Sequence, residues 1–300
     1  MKKFAVFGGF LGSGKTTTMM TLTRYLTDHG TNSAMISNDL GHGVDLADNR
    51  YACLCGCNAS GMTDECICYQ NENLADRLDE DYESGGEFII SDIPGFGVGA
   101  PEHVYHGMSE KYPGKYELAP FTALIEPKTV EMLRSGNTGD LRYIYDTQLV
   151  ETDLIVLNKC DLIGDAEREA EISWLRENYP EAEVIAISAM TEEGIDTLAG
   201  YLLGEKASMR HVDIRYGGEE FMAAMGRMSE YCLQYHATVC CNDFDGNAYL
   251  GEIAEKVRLE ILALNYSIPH LKLLAWDQEG NFGKVDLIGE IGRASCRERV

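Results

Sequence analysis

The chain has 300 residues, 45% of them hydrophobic, and a formal net charge of −24. That is enough to bury a sizeable core in one large or two moderate domains. No apolar run is long enough to span a membrane and no signal-peptide core opens the chain, so a cytoplasmic protein without membrane attachment is expected, and so acidic a surface argues against nucleic acid as a partner.

Phe4 to Phe7 is a short apolar run that reads as a buried strand. Directly after it come Gly9-Phe10-Leu11-Gly12-Ser13-Gly14-Lys15-Thr16, which fit the phosphate-loop pattern G-x-x-x-x-G-K-[ST] between a strand and a helix. Glycines let backbone N–H groups turn inward around a phosphate, and the helix N-terminus behind them adds partial positive charge. Lys15 is placed to reach the β- and γ-phosphates, and the Thr16 hydroxyl to bind Mg²⁺. The helix is expected over Lys15 to His29, closed by Gly30.

Ala34 to Ile36 is the next buried strand. Asp39 follows it and is a candidate for Mg²⁺ or its water shell, with a turn-forming role equally open. Five of the ten cysteines then fall within sixteen residues: Cys53, Cys55, Cys57, Cys66 and Cys68. Thiolates at i, i+2 spacing in a loop can converge on one soft ion such as Zn²⁺, which points to metal or redox chemistry. Asn73 to Tyr82 reads as a short polar helix.

Phe88 to Asp92 is an apolar strand that runs into Asp92-Ile93-Pro94-Gly95. In a chain with a phosphate loop, that Asp supports the Mg²⁺ shell and the Gly95 N–H can sense the γ-phosphate. Gly95 to Pro120, rich in Gly and Pro, is expected to be a mobile functional loop; His103 and His106 on it are read as exposed polar residues, with a metal role open. Phe121 to Ile125 is a strand, and Pro127 to Arg134 and Leu141 to Val150 are helices. Leu154 to Leu157 leads into Asn158-Lys159-Cys160-Asp161, the guanine-reading order. The Asp161 carboxylate can accept from guanine N1–H and N2–H₂, and adenine would leave it unpaired. The Lys159 stem can lie over the base. A helix over Glu167 to Tyr179 and a strand over Val184 to Ile187 lead to Ser188-Ala189-Met190, a backbone contact to guanine O6, and Gly194 to Leu203 is the closing helix. Alternating strands and helices imply an α/β fold, a mostly parallel sheet with helices on both faces.

From Lys206 the pattern changes. Val212 to Tyr216, Cys232 to Cys241, His270 to Trp276 and Val285 to Ile288 read as strands, and Glu219 to Met228 and Asn247 to Leu264 as helices. Residues 1–205 are thus expected to form the nucleotide domain and 206–290 a smaller α/β domain. Ile291 to Val300 reads as a translated sequencing adapter and is set aside as non-native.

Four pieces together resemble the CobW/HypB/UreG family of phosphate-loop GTPases, most closely its CobW-like branch. They are Gly9 to Thr17, Cys66-Ile67-Cys68, Asp92-Ile93-Pro94-Gly95 and Asn158-Lys159-Cys160-Asp161. The resemblance implies a P-loop NTPase fold, GTP and Mg²⁺ as ligands, and Zn²⁺, Co²⁺ or Ni²⁺ as cargo. It also implies a client metalloenzyme or corrinoid protein, and a nucleotide-dependent homodimer. Two positions depart from the family's pattern: Tyr69 stands where a third thiol is usual, and Asp92 where Glu is. The alternative is a slow GTP-dependent switch whose cysteines sense redox state or dock a corrinoid methyltransferase.

Overall fold

The computed structural model describes residues 2–38, 58–62, 66–215, 217–229, 231, 233, 235–238, 244–276 and 282–288. The expectations placed on Asp39, Cys53, Cys55 and Cys57 lie outside the described residues.

Packing divides the chain into two compact units, Met1–Glu230 and Tyr231–Val300. The first holds β1 (Lys3–Gly8), α1 (Lys15–Asp28), β2 (Ser33–Asn38), β3 (Asn58–Met62), α2 (Asn71–Glu83) and β4 (Phe88–Asp92). A π-helical turn (Pro101–His106), α3 (Gly107–Lys111), β5 (Glu117–Leu118), β6 (Thr122–Ile125), α4 (Pro127–Ser135) and α5 (Arg142–Val150) follow. β7 (Leu154–Leu157), α6 (Asp165–Asn178), β8 (Glu183–Ala186), α7 (Ile195–Gly204) and α8 (Glu219–Met225) complete it. The strands form one sheet in the order β3-β2-β4-β1-β6-β7-β8, with β5 also on β1, and every pair in it is parallel.

A parallel sheet covered on both faces needs apolar residues at consecutive positions, and each strand here divides its side chains between two clusters. Ala5, Phe7, Met35, Phe88, Ile90, Leu124, Leu154 and Val156 meet Met19, Leu22 and Leu26 of α1 and Leu198 and Leu202 of α7. The intervening residues face the other way: Phe4, Val6, Ile36 and Ile89 meet Leu74 and Leu78 of α2, and Ala123, Ile125, Ile155 and Leu157 meet α4, α5 and α6. Lys3, almost fully buried, donates through Nζ to Leu203 O and Glu205 O, both at 2.7 Å, and so binds the C-terminal carbonyls of α7 to β1.

Three expectations are corrected. The segment Gly95 to Pro120 is not a structureless loop: it holds the π turn, α3 and β5. Its Val104, Tyr105 and Met108 are buried in the core. Tyr105 Oη accepts from Val6 N at 2.9 Å, between the stretches of β1 that pair with β5 and β6. The π turn hides this order, because its spacing does not follow the 3.6-residue period. Second, Val212 to Arg215 is irregular rather than a strand, as are the described residues within Cys232 to Cys241. Third, residues 206–229 pack with the nucleotide domain, so the first unit extends past the expected boundary at 205. Ala207 N bonds Leu118 O, Ser208 Oγ bonds Asp153, Arg210 donates to the carbonyls of Val150 and Thr152, and Ile214 and Phe221 pack on the α4–α6 cluster. Most of these bonds are made by side chains, which tie the segment to the domain beneath it without a strand ladder. β3 was not legible, because its five residues, Asn58 to Met62, offer little hydrophobic pattern.

In the second unit α9 (Gly246–Ala263) lies on an antiparallel hairpin of β9 (His270–Trp276) and β10 (Phe282–Ile288), burying Leu250, Ala254 and Val285. Asp245 caps α9 by accepting from Asn247 N and Ala248 N. Among the described residues no helix is long and apolar enough to cross a membrane.

Candidate functional site

In an open parallel sheet, ligand-facing residues gather at the carboxyl ends of the strands where the strand order reverses. Here that place is the end of β1, flanked by β4 and β6. Gly9, Gly12 and Gly14 all hold positive φ, of 116°, 85° and 95°. A Cβ at Gly9 would lie 2.2 Å from Leu124 O, and one at Gly14 2.3 Å from Asn158 Nδ2. α1 begins without a side-chain cap, and its first rung is Thr18 N to Gly14 O. The N–H groups of Lys15, Thr16 and Thr17 therefore precede the helix's own ladder and face the loop, an arrangement that suits an anion. Lys15 Nζ lies 2.7 Å from Gly9 O and folds over the loop. Ser13 Oγ is buried with no hydrogen-bond partner, which leaves polar capacity inside the cradle for a ligand oxygen.

Asp92 is set abreast of Phe7 by the β1–β4 register. Its Oδ1 accepts from Asn38 N at 2.8 Å, and the side chain is nearly buried. Gly95 lies against the phosphate loop, so close that a Cβ there would come within 2.8 Å of Leu11 N. The buried Gln148 of α5 holds this turn by donating to Gly95 O at 3.1 Å and Gly97 O at 2.9 Å. The Thr16 hydroxyl and the Asp92 carboxylate are hard oxygen donors and fit Mg²⁺ chemically.

Asn158 ties the remaining parts together. From the end of β7 its Nδ2 donates to Ser13 O at 2.9 Å, and its Oδ1 accepts from Ala189 N at 3.1 Å. Lys159 takes a left-handed conformation, φ 64°, and pairs with Glu126 at 2.5 Å. Asp161 is exposed, and its Oδ1 accepts from Ser188 Oγ at 2.7 Å. The phosphate loop, the Asn158–Asp161 turn and Ser188-Ala189 thus form one hydrogen-bonded unit.

Cys66 and Cys68 flank Ile67 in a 3₁₀ turn, Ile67–Tyr69, after the carboxyl end of β3. Both are free, partly buried thiols, and Cys66 Sγ accepts from Cys68 N at 3.5 Å. The hydrogen bond between their side chains holds the Cys66 thiol below its ordinary pKa, and the same bond, with burial, pushes that of Cys68 up. Cys66 is therefore the readier thiolate. Asn38 joins this turn to the nucleotide end. Its Oδ1 accepts from Ile67 N at 2.9 Å and its Nδ2 donates to Met62 O, while its own N–H holds Asp92. Tyr69 is exposed beside the pair.

Asn38, Glu126 and Gln148 were not singled out from sequence. Asn38 carried a signal, as the polar residue closing a buried strand; Gln148 and Glu126 carried none.

The family model for the CobW/HypB/UreG nucleotide-binding domain matches residues 3–186. The GTPase Obg of Rickettsia massiliae is 30% identical over 133 residues, 43% of this chain and 39% of that protein. The GTPase Obg of Magnetococcus marinus is 31% identical over 130 residues, 41% of this chain and 33% of that protein. The chain thus spans about two fifths or less of these curated relatives' length. Among solved structures, HypB from Helicobacter pylori in complex with nickel is 18% identical, with a TM-score of 0.48 over 67% of this chain and 85% of that one. Zn(II)-bound YjiA GTPase from E. coli is 16% identical, with a TM-score of 0.40 over 99% of this chain and 89% of that one.

Proposed function

The chain belongs to the CobW/HypB/UreG family, and from that premise we propose that it binds and hydrolyses GTP and couples its nucleotide state to metal held at Cys66 and Cys68. The loop amides and Lys15 cradle the phosphates, with Lys15 exchanging the Gly9 carbonyl for phosphate oxygens. Asp161, oriented by Ser188, accepts from the guanine edge, Lys159 covers the base, and Ala189 lies beside the purine. Thr16 and Asp92, with Asp39 in support, would hold Mg²⁺, which neutralises charge on the phosphates. Gly95, seated on Leu11, is placed to move when the γ-phosphate leaves. The client is a metalloenzyme or corrinoid protein met in the cytoplasm, and homodimer formation depends on the nucleotide.

The observation that carries the coupling is the triple use of Asn38, whose N–H holds Asp92 and whose side chain holds Ile67 and Met62. A shift of the Asp92 segment on hydrolysis is thereby passed to the thiol turn. The test is GTP turnover and metal affinity, measured on the same protein. Lys15→Ala should lower turnover at least about 100-fold. Asp161→Asn should weaken GTP by about 1–3 kcal/mol, with much less effect on ATP. Zn²⁺ or Co²⁺ affinity should differ between the GTP and GDP states, and the metal should protect both thiols from alkylation. Equal affinity in the two states sinks the coupling and leaves the regulatory switch, a reading to which the mutual thiol hydrogen bond is also suited.

A further inference from the structure

Outside the thiol turn, a second group of ligating side chains converges among the described residues. Glu102 and His106 stand at i and i+4 on the π turn, and His211 comes from the segment that leaves the nucleotide domain. One ligand atom from each lies within 4.8 Å of the others. We propose that Glu102, His106 and His211 form a sulfur-free site for one borderline divalent transition cation of the Zn²⁺, Ni²⁺ or Co²⁺ class, clasping residues 206–215 to the π turn.

Four observations carry this. The imidazoles of His106 and His211 stack with centroids 4.1 Å apart and planes 14° apart. Stacked in this way, the two rings each bring a nitrogen within reach of one cation. His106 Nε2 is buried with no hydrogen-bond partner, so the ring has ligating capacity that the protein leaves unused. The Glu102 carboxylate already meets His211 Nδ1 at 2.9 Å. It supplies the negative charge that two imidazoles lack. Finally, the backbone is already shaped for the clasp. A π turn, uncommon and frequent at functional sites, brings i and i+4 onto one side, and Arg210 and Ser208 pin the segment carrying His211 to Val150, Thr152 and Asp153.

Metal–nitrogen and metal–oxygen bonds of about 2.0–2.2 Å put ligand atoms roughly 3–4 Å apart. Glu102 and His211 are both exposed and can close the remaining gap by rotamer change. Imidazole and carboxylate donors suit Zn²⁺, Ni²⁺ and Co²⁺, and three protein ligands leave an open position for water. The site uses none of the groups assigned to nucleotide or to the cysteines.

Co²⁺ and Zn²⁺ titrations of the anaerobic full chain test it, followed by equilibrium stoichiometry and by the visible cobalt spectrum. A variant with Cys53, Cys55, Cys57, Cys66 and Cys68 all changed to Ser should retain one equivalent, with a spectrum free of thiolate charge transfer. His211→Gln and, separately, Glu102→Gln should lose that equivalent or weaken it at least about tenfold, as changes around metal ligands do, with GTP affinity and circular dichroism unchanged. Wild-type affinity and stoichiometry in both His211→Gln and Glu102→Gln would overturn the site, as would absence of a sulfur-free equivalent from the serine variant. Loss of the thiol-bound metal alone leaves this site standing and removes the chaperone reading; loss of the imidazole-bound metal alone does the reverse.

Discussion

Asn158 shows how much a single buried amide can organise. It faces three parts of the nucleotide site at once, through Ser13 O, Ala189 N and, at 3.4 Å, the Thr18 hydroxyl. All of these contacts are made within the protein. Removing the amide would strand a buried donor and a buried acceptor, each at about 1–3 kcal/mol. We expect Asn158→Ala to lower thermal stability and to weaken GTP and GDP alike, since it loosens both the Gly9–Thr16 loop and the Asn158–Asp161 turn. Equilibrium denaturation and nucleotide titration check this. A loss confined to one nucleotide would mean that the amide acts on the ligand directly. Asn38 has a comparable position for the thiol turn, with the difference that its partners, Asp92 and Ile67, belong to segments expected to move.

Among the elements, the π turn has the largest consequences. It carries Tyr105 into the core, where the phenol meets Val6 of the central strand, and it carries Glu102 to the surface with His106 half-buried beside it. It also abuts the thiol turn, with the Tyr69 and His103 rings 6.1 Å apart and Asn71 Nδ2 donating to His103 O. Burial forces the Tyr105 hydroxyl to stay protonated, its pKa pushed well above the ordinary phenol value. Tyr105→Phe keeps the packed ring and leaves Val6 N without its acceptor, so a loss of about 1–3 kcal/mol is expected. Hydrogen exchange should locate the change: the Val6 amide should lose protection far more than its neighbours on β1. Unchanged protection there would mean that the strand is held by its ladders alone. α1 makes the opposite point, since its length, apolar face and closing Gly30, with φ 88°, are local properties.

For the whole molecule, stability should respond to pH through Glu151. This carboxylate ends α5, is fully buried and accepts from Gly99 N at 2.6 Å. Burial pushes its pKa up to about 8 from an ordinary value of 4.5. Between those values the folded chain holds a proton that the unfolded chain has released, so stability falls as pH rises from about 4.5 to 8 and levels off above. The full span is on the order of a few kcal/mol. Glu151→Gln should flatten this part of the stability profile and raise the denaturation midpoint most at the alkaline end. A profile identical to the wild type would assign the pH dependence to other groups. The charge of ionised Glu151 also bears on Cys68, whose thiol it helps to keep protonated, so the backbone at Gly99 and the thiol turn feel the same carboxylate.

The strand-loop-helix at Gly9 to Thr16, the order of D-x-x-G and N-K-x-D, the buried strands and the long helices α1, α6 and α9 were all legible in the residues themselves. They depend on local rules: continuous apolar runs for a sheet covered on both faces, amphipathic spacing, and glycine where backbone must approach a phosphate. Tertiary structure alone decided how these pieces meet. No local pattern could announce that Asn38 would join a carboxylate to a thiol turn, that Gln148 would hold Gly95, that residues 206–215 would lie along the nucleotide domain instead of pairing as a strand, or that His211 would stack on His106 across more than a hundred residues of chain. Each is a polar group whose partner is distant in sequence, and burial, which makes such pairing obligatory, exists only once the sheet and helices have closed around it.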